Sequence, residues 1–186
     1  KPIYITEKVN FDTDDPAIWI HPTDASKSII IGTDKDTNGG LFAFDITGKI
    51  VNKVPNLKRP NNVDLRYGFV LNGQNIDIAA LTERETNKVK LYSLPELKEV
   101  GEFSVFDGEQ QRSPMGISLY KNPETQEIYA IVGRKTGPSG SYLWQYKLVE
   151  KEGKITGELV RKFGNFNGGK EIESIAVDDA LGYIYY

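Results

Sequence analysis

Ile29-Ile30-Ile31-Gly32-Thr33-Asp34-Lys35 is an apolar, β-favouring run that ends in a cation. Two further runs repeat this pattern at the same register, Ile78-Ala79-Ala80-Leu81-Thr82-Glu83-Arg84 and Tyr129-Ala130-Ile131-Val132-Gly133-Arg134-Lys135. Each run is followed by turn residues and then by an alternating strand, such as Leu41–Phe44. A unit of several strands that recurs about every 50 residues is typical of a propeller blade.

Short strands separated by turn residues fill the chain, and helical periodicity is almost absent. The repeat groups them into three units of four strands, at 17–21, 28–33, 40–45 and 50–54, then 63–69, 76–82, 89–93 and 99–105, then 116–120, 127–132, 141–149 and 158–163. A fourth unit begins with strands at 172–177 and 182–186. The sequence therefore predicts an all-β fold, a β-propeller of four-stranded antiparallel blades, with about three and a third blades present.

This number of blades does not form a ring, because propellers close with about four to eight blades. The last predicted strand, 182–186, would also leave an unpaired edge. We therefore expect residues 1–186 to be a single domain that forms the N-terminal part of a longer propeller. The alternative is that a second copy of the chain closes the ring.

The composition argues against several classes of function. A formal charge of −3 over 186 residues argues against nucleic-acid binding, which needs a basic surface. No apolar run reaches the length of a membrane span. The lack of cysteine and the single histidine exclude disulfides, thiolate metal sites and multi-histidine zinc sites. Any metal must then be held by oxygen ligands, which suits calcium or magnesium.

Cations and carboxylates are predicted to share one rim of the propeller. Successive strands of a blade are antiparallel, so the second strand ends beside the start of the first. The second strands end at Lys35, Arg84 and Lys135. The first strands start near 14–16, 61–64, 114–116 and 171–173, and these segments contain several acids. Such a rim could bind calcium together with a polyanion such as a phosphate ester.

Three segments give the chain a resemblance to a known family. Asp14-Asp15-Pro16-Ala17-Ile18-Trp19, Asn61-Asn62-Val63-Asp64-Leu65-Arg66-Tyr67 and Glu173-Ser174-Ile175-Ala176-Val177-Asp178-Asp179 are similar to segments of the β-propeller phytases, in the same order and with similar spacing. The resemblance covers essentially the whole chain. It implies a six-bladed, calcium-dependent phosphoric monoester hydrolase of the 3-phytase type that acts on phytate (myo-inositol hexakisphosphate). It also implies a bacterial protein that is secreted, periplasmic or on the outer surface.

The resemblance also implies roles for individual residues. Lys35, Arg84 and Lys135 match the residues that hold the substrate phosphates, and the internal repeat selects the same three. The implied catalytic set is Lys35, Arg84, Lys135 and Glu173. The implied calcium ligands are Asp14, Asp15, Asn62, Val63, Asp64 and Glu173, with some contacts through backbone oxygens. The nucleophile is then a water molecule held by calcium, and no Ser, Cys or His triad is required.

Two positions depart from the family pattern. Met115 stands where the family often has tyrosine, so a hydrogen bond to phosphate is lost or supplied elsewhere. Ser174 follows Glu173 where the family has glycine. Further acidic ligands are expected beyond Tyr186, so residues 1–186 alone would hold about half of the site and would be inactive.

Other interpretations stay open at this point. The same rim could bind an anionic ligand or a protein partner without catalysis, or belong to a lactonase-like propeller that keeps only the acidic ligands. The stretch Asp34–Gly39 mimics the start of an EF-hand loop, but strands flank it, so we predict a hairpin turn. His21, which precedes Pro22, is predicted to lie in a turn on the opposite rim.

Overall fold

The computed structural model describes residues 1–186, which form an all-β fold. The strands are β1 (Thr13–Trp19), β2 (Ile29–Asp34), β3 (Gly39–Asp45), β4 (Ile50–Leu57), β5 (Pro60–Leu71), β6 (Gln74–Glu83), β7 (Lys88–Leu94), β8 (Lys98–Ser104), β9 (Pro114–Lys121), β10 (Ile128–Arg134), β11 (Leu143–Lys151), β12 (Lys154–Phe163), β13 (Ala176–Asp178) and β14 (Tyr183–Tyr185). A short 3-10 turn, Ala25–Lys27, joins β1 to β2. The fold contains no helical segment that could span a lipid bilayer.

The strands form three blades and the start of a fourth. Blade 1 is β1–β4, blade 2 is β5–β8 and blade 3 is β9–β12, and neighbouring strands within each blade are antiparallel. The strands β13 and β14 begin blade 4. The predicted all-β fold is confirmed, and its arrangement is that of a partial propeller.

The second strand of each blade is buried along most of its length, which explains its continuous apolar run. The hydrophobic core lies mainly between the faces of successive blades. One cluster, which includes Ile31, Leu65 and Leu81, fills the space between blades 1 and 2. A second cluster, which includes Ile78, Leu119 and Trp144, fills the space between blades 2 and 3. Each blade therefore depends on its neighbours for its core.

Several predicted strand boundaries are wrong: β1, for example, spans Thr13–Trp19 rather than 17–21. Two further cases have a clear physical reason. The outer strand β12 begins at Lys154 rather than at 158, because a tight turn at Glu152 and Gly153, both with positive φ, pairs Lys151 directly with Lys154. In blade 4 the strand is Ala176–Asp178, so only 176–177 of the predicted 172–177 lies in a strand. Ile172 and Ile175 instead pack against the small apolar cluster of blade 3 without joining a ladder. Their apolar alternation therefore reflects packing rather than strand pairing.

The outer strands of blades 2 and 3 also touch, which the sequence did not predict. Gly101 of β8 pairs in parallel with Ile155 of β12, so the two blades join into one eight-stranded sheet. A Cβ at Gly101 would lie 2.0 Å from the carbonyl oxygen of Ile155. Only glycine allows this approach.

Threonine hydroxyls tie successive blades together near the axis. Thr33 Oγ1 of blade 1 donates to the carbonyl oxygen of Asn61 at 2.6 Å. The equivalent Thr82 Oγ1 of blade 2 donates to the carbonyl oxygen of Met115 at 2.5 Å. Both threonines are fully buried. Water therefore cannot replace these bonds, and their loss would leave a buried carbonyl unpaired.

We predict that Thr82→Val lowers the free energy of unfolding by about 1–3 kcal/mol, since it leaves the Met115 carbonyl without a donor. Thr82→Ser, which keeps the hydroxyl, should recover much of this loss. The exposed Thr23 provides a matched control, and Thr23→Val should change stability by less than about 0.5 kcal/mol. Urea unfolding measures all three variants. Equal stability of the Thr82→Val and Thr23→Val variants would contradict the proposed tie.

Candidate functional site

The three predicted rim cations occupy equivalent places in their blades. The backbone N–H of Lys35 donates to the carbonyl oxygen of Asp12 at 2.7 Å. The N–H of Arg84 donates to Arg59 at 3.1 Å, and the N–H of Lys135 donates to Ser113 at 3.0 Å. Each acceptor lies just ahead of the first strand of the same blade. We call these short segments, 10–12, 58–59 and 111–113, the lead-in segments.

Two of the cations form ion pairs with acids of the same rim. Lys35 Nζ lies 2.6 Å from Asp14 Oδ1, and both side chains are about one-fifth exposed. Lys135 Nζ lies 3.6 Å from Glu171 Oε1, in a more exposed position. The Lys35 pair joins the end of β2 to the start of β1, which lie side by side in the antiparallel blade 1. The Lys135 pair instead joins the end of β10 in blade 3 to Glu171, which lies ahead of β13 in blade 4.

Arg84 lies close enough to these acids to interact with them electrostatically. Burial lowers the pKa of Arg84, and the neighbouring Arg59 lowers it further. Three carboxylates oppose this shift, those of Glu173, Glu171 and Asp14. Asp14 and Glu171 are also the partners of Lys35 and Lys135. The three cations and their acids therefore share one rim.

A cavity of about 380 Å³ opens among the inner strands of the blades. It is lined by residues of β1, β5 and β9 and by 174–177. The predicted calcium ligands Asp15, Asn62, Val63 and Asp64 line it, whereas Asp14 and Glu173 do not. The structure thus places part of the predicted site at an inner cavity and part at the rim, where two ion pairs lie.

The carboxyl group of Asp15 is partly buried and lies near two other carboxylates. Burial raises the pKa of Asp15, and the neighbouring Asp14 and Asp64 raise it further. The backbone N–H of Val63 donates to Asp15 Oδ2 at 2.9 Å and opposes this shift. This bond also ties β1 of blade 1 to β5 of blade 2.

Asp64 makes the corresponding tie between blades 2 and 3. Its Oδ2 accepts hydrogen bonds from the backbone N–H of Leu119 at 2.7 Å and from Ser118 Oγ at 3.1 Å. Arg66 Nη1 lies 3.3 Å from the same oxygen, and the N–H of Leu65 donates to Oδ1 at 2.8 Å. The Asp64 carboxylate is therefore largely engaged within the protein.

The sequence that builds this rim matches one protein family over nearly its whole length. The model of the family described as Phytase matches residues 6–186. The chain belongs to the phytase family. A 3-phytase of Bacillus subtilis (strain 168) is 35% identical to it over 179 residues, which is 92% of this chain and 44% of the relative. The phytase chain thus spans less than half the length of this curated relative.

The predicted calcium ligands of this phytase chain have suitable chemistry but form no complete site. Carboxylate, amide and backbone oxygens are the ligands that calcium takes. However, no three Asp, Glu or His side chains lie close enough together to hold a metal ion. Asp14 is engaged by Lys35, and the Oδ1 of Asn62 accepts a hydrogen bond from Asn61 Nδ2 at 2.6 Å. The calcium roles therefore stay a prediction.

Sequence reasoning placed Glu171 among the acids of the rim without a specific partner, and it gave no role to Arg59 and Arg66. Glu171 pairs with Lys135, and Arg59 lies beside Arg84 with a positive φ of 58°. Arg66 lines the cavity between Asp64 and Asp179, 3.3 Å from each. The position of Arg59 just ahead of a first strand, like that of Asp12 and Ser113, is the signal that could have identified it.

The positions that depart from the family pattern lie in different surroundings. The Met115 side chain is 1% exposed and packs in the core, so it places no polar group at the rim. Ser174 lines the inner cavity.

The EF-hand-like stretch at 34–39 is the β2–β3 hairpin, as predicted. His21 lies in a turn, also as predicted, where its Nδ1 accepts from the N–H groups of Thr23 and Asp24.

We predict that Lys35→Met changes the free energy of unfolding by less than about 1 kcal/mol, because its ion pair is partly exposed to solvent. The backbone hydrogen bond of residue 35 is kept in this variant. Chemical denaturation of the wild type and the variant tests this. A loss above about 2 kcal/mol would show that Lys35 is retained for stability rather than for a ligand.

Proposed function

We propose that these residues form about half of the active site of a calcium-dependent phytase. In this proposal Lys35, Arg84 and Lys135 bind phosphate groups of myo-inositol hexakisphosphate, and the acids of the rim hold calcium. The observation that carries the proposal is the equivalent placement of the three cations, one per blade, on a rim that also holds Asp14, Glu171 and Glu173. The family membership and the 3-phytase relative agree with it.

The charge pattern suits a substrate with several phosphate groups. A single phosphate needs one or two cations, whereas a ring of phosphates is matched by cations spread around an opening. The cations also need partners when no ligand is bound, and Asp14 and Glu171 supply them. Phosphate oxygens could then replace these carboxylates as partners of Lys35 and Lys135.

In this mechanism the chain's own residues bind and orient the phosphate. Lys35, Arg84 and Lys135 would neutralise phosphoryl oxygens, both in the bound ester and as charge develops on them during hydrolysis. Arg84 has the geometry to contact two oxygens at once, and burial strengthens its electrostatic effect.

Calcium, when bound, would offset the acids' charge and activate a water molecule for attack on phosphorus. Asp14, Asp15, Asn62, Asp64, Glu173 and the backbone of Val63 are the residues that would hold it. Glu173 is exposed and has no ion-pair partner of its own, so it is free to contribute an oxygen.

We also infer that further blades of the same protein complete the ring. Apolar side chains are exposed on both ends of the partial ring, at Ile18 in β1 and at Tyr183 and Tyr185 in β14. A second copy of the chain is the alternative, and sedimentation of the purified protein distinguishes the two. Export from the cell, which the family resemblance implies, remains part of the same proposal.

We predict that Arg84→Ala in the complete protein lowers kcat/KM for phytate by about 100-fold or more, since it removes a charged contact to the phosphoryl group. The assay is phosphate release from phytate with calcium in excess. The control is Lys98→Ala, because Lys98 is exposed and lies at the start of β8, on the opposite rim. Lys98→Ala should leave kcat/KM unchanged.

The result also separates catalysis from simple binding. One outcome is that the wild-type protein binds phytate but releases no phosphate, and that Arg84→Ala abolishes this binding. This result would show that the rim belongs to a non-catalytic anion-binding module and not to an enzyme. Equal losses in the Arg84→Ala and Lys98→Ala variants would contradict the proposed rim.

We predict that chelation of calcium lowers the melting temperature of the complete protein. A ligand that binds only the native state stabilises it, and its removal reverses the effect. Differential scanning calorimetry with excess chelator, and again after calcium is restored, measures the shift. An unchanged melting temperature would rule out a calcium site that is specific to the folded protein.

A further inference from the structure

Only three charged side chains of this chain are buried, and they share one position. They are Asp34, Glu83 and Arg134, which are 0%, 2% and 0% exposed. Each is the last residue of the second strand of its blade, and each directly precedes a rim cation. Burial of a charge is costly unless it is fully paired, so a repeated buried charge needs a reason.

In blade 1, the Asp34 carboxylate binds the lead-in segment. Its Oδ1 accepts hydrogen bonds from the backbone N–H groups of Phe11 at 3.1 Å and Asp12 at 2.7 Å. Its Oδ2 accepts from the N–H of Asn10 at 3.1 Å. The next residue, Lys35, donates its own N–H to the Asp12 carbonyl. Asp34 and Lys35 thus hold the same segment from two sides.

In blade 2, Glu83 binds its lead-in segment through one backbone N–H rather than three. Its Oε1 accepts from the backbone N–H of Lys58 at 2.8 Å, and its Oε2 accepts from the Thr86 hydroxyl. The following residue, Arg84, donates its N–H to the carbonyl of Arg59. The carboxylate and the backbone of the next residue again hold one lead-in segment.

In blade 3 the charge is reversed, and so is the hydrogen bonding. Arg134 Nη1 donates to the carbonyl of Gln111 at 3.1 Å, and Nη2 donates to the carbonyl of Ser141 at 3.0 Å. Glu109 Oε2 lies 3.3 Å from Nη1, and the guanidinium lies 4.6 Å from the centre of the Phe106 ring. A cation here binds backbone carbonyls where the two carboxylates bind N–H groups. The charge therefore differs between blades, but the contact with the lead-in segment is kept.

We propose that Asp34, Glu83 and Arg134 are positioning residues that fix the backbone of Lys35, Arg84 and Lys135 relative to the central opening. Lysine and arginine side chains are long and flexible, so the position of their Cα atoms limits which oxygens of a ligand they can reach together. Each cation is held on one side by its own N–H bond and on the other by the buried charge before it. This inference rests on the proposed function only in that the rim cations bind an anion.

The test uses the complete protein with calcium in excess and a non-hydrolysable polyanion, myo-inositol hexasulfate, titrated by calorimetry. Glu83→Leu removes the acceptor for the Lys58 N–H and should weaken binding of this probe by at least about tenfold. Glu83→Gln keeps an acceptor oxygen and should bind the probe almost as the wild type does. Hydrogen exchange at the amides of Lys58 and Arg84 should be faster only in the Glu83→Leu variant.

Tyr92→Phe is the matched control. Tyr92 lies in the same blade, is 1% exposed, and its hydroxyl has no hydrogen-bond partner. This variant changes a buried polar group without touching the lead-in segment, so its affinity for the probe should not change. Arg134→Lys is measured in parallel, in case Glu83→Leu does not fold. It keeps the charge, but a single ammonium cannot reproduce the forked contact with Gln111 and Ser141, so binding should also weaken.

Each outcome decides the inference. Wild-type affinity in both Glu83→Leu and Arg134→Lys would overturn it, and so would an equal loss in Tyr92→Phe, which would indicate a general effect of stability. Weaker binding in Glu83→Leu and Arg134→Lys, with wild-type affinity in Glu83→Gln and Tyr92→Phe, supports it. Failure of the wild type itself to bind the probe would overturn the proposed function and this inference together.

Discussion

The site depends on a backbone hydrogen bond that each blade makes with itself, from the N–H of the rim cation to the carbonyl of its lead-in segment. This bond closes the second strand onto the start of the first, so it sets where the strand ends at the rim. Because it occurs three times, with Asp12, Arg59 and Ser113 as acceptors, three cations distant in sequence occupy equivalent places at the same rim. The backbone therefore fixes the positions of these three residues, and their side chains extend from fixed points.

The acidic residues of the inner strands both hold neighbouring blades together and line the candidate site. Asp15 and Asp64 each accept a backbone N–H from the next blade, from Val63 and from Leu119. The same carboxylates line the cavity where the family resemblance places calcium. An ion bound there would interact with groups that also hold the blades together. Metal binding and the spacing of the blades would then be coupled, which is consistent with a site built from several blades rather than from one loop.

Much of the fold can be predicted from the sequence, because its signals are local. Turn residues such as Asn38-Gly39 and Asn72-Gly73 separate runs with strand periodicity, and the repeat groups these runs into blades. The parallel contact between Gly101 and Ile155 could not be predicted, because it depends on how two blades pack. The strand predicted at 172–177 is mostly absent, because Ile172 and Ile175 bury their side chains without pairing their backbone.

The candidate site could also be predicted only in part from the sequence. The repeat places Lys35, Arg84 and Lys135 at equivalent positions, because strand register is a property of the sequence pattern. Arg59 was given no role and Glu171 no specific partner, because the residues beside them, Arg84 and Lys135, come from other parts of the chain. Asp34, Glu83 and Arg134 look like ordinary charged residues beside turns, and only the three-dimensional structure shows that they are buried. Sequence patterns indicate which residues face the rim, but not which side chains hold them in place.

The most direct measurement of the central claim is a crystal structure of the complete protein with calcium and a bound inositol polyphosphate or polysulfate. The account predicts one ligand at the rim, with Lys35, Arg84 and Lys135 all within about 3.5 Å of its anionic oxygens. A ligand bound at the opposite rim, or one that contacts none of these three side chains, would contradict it.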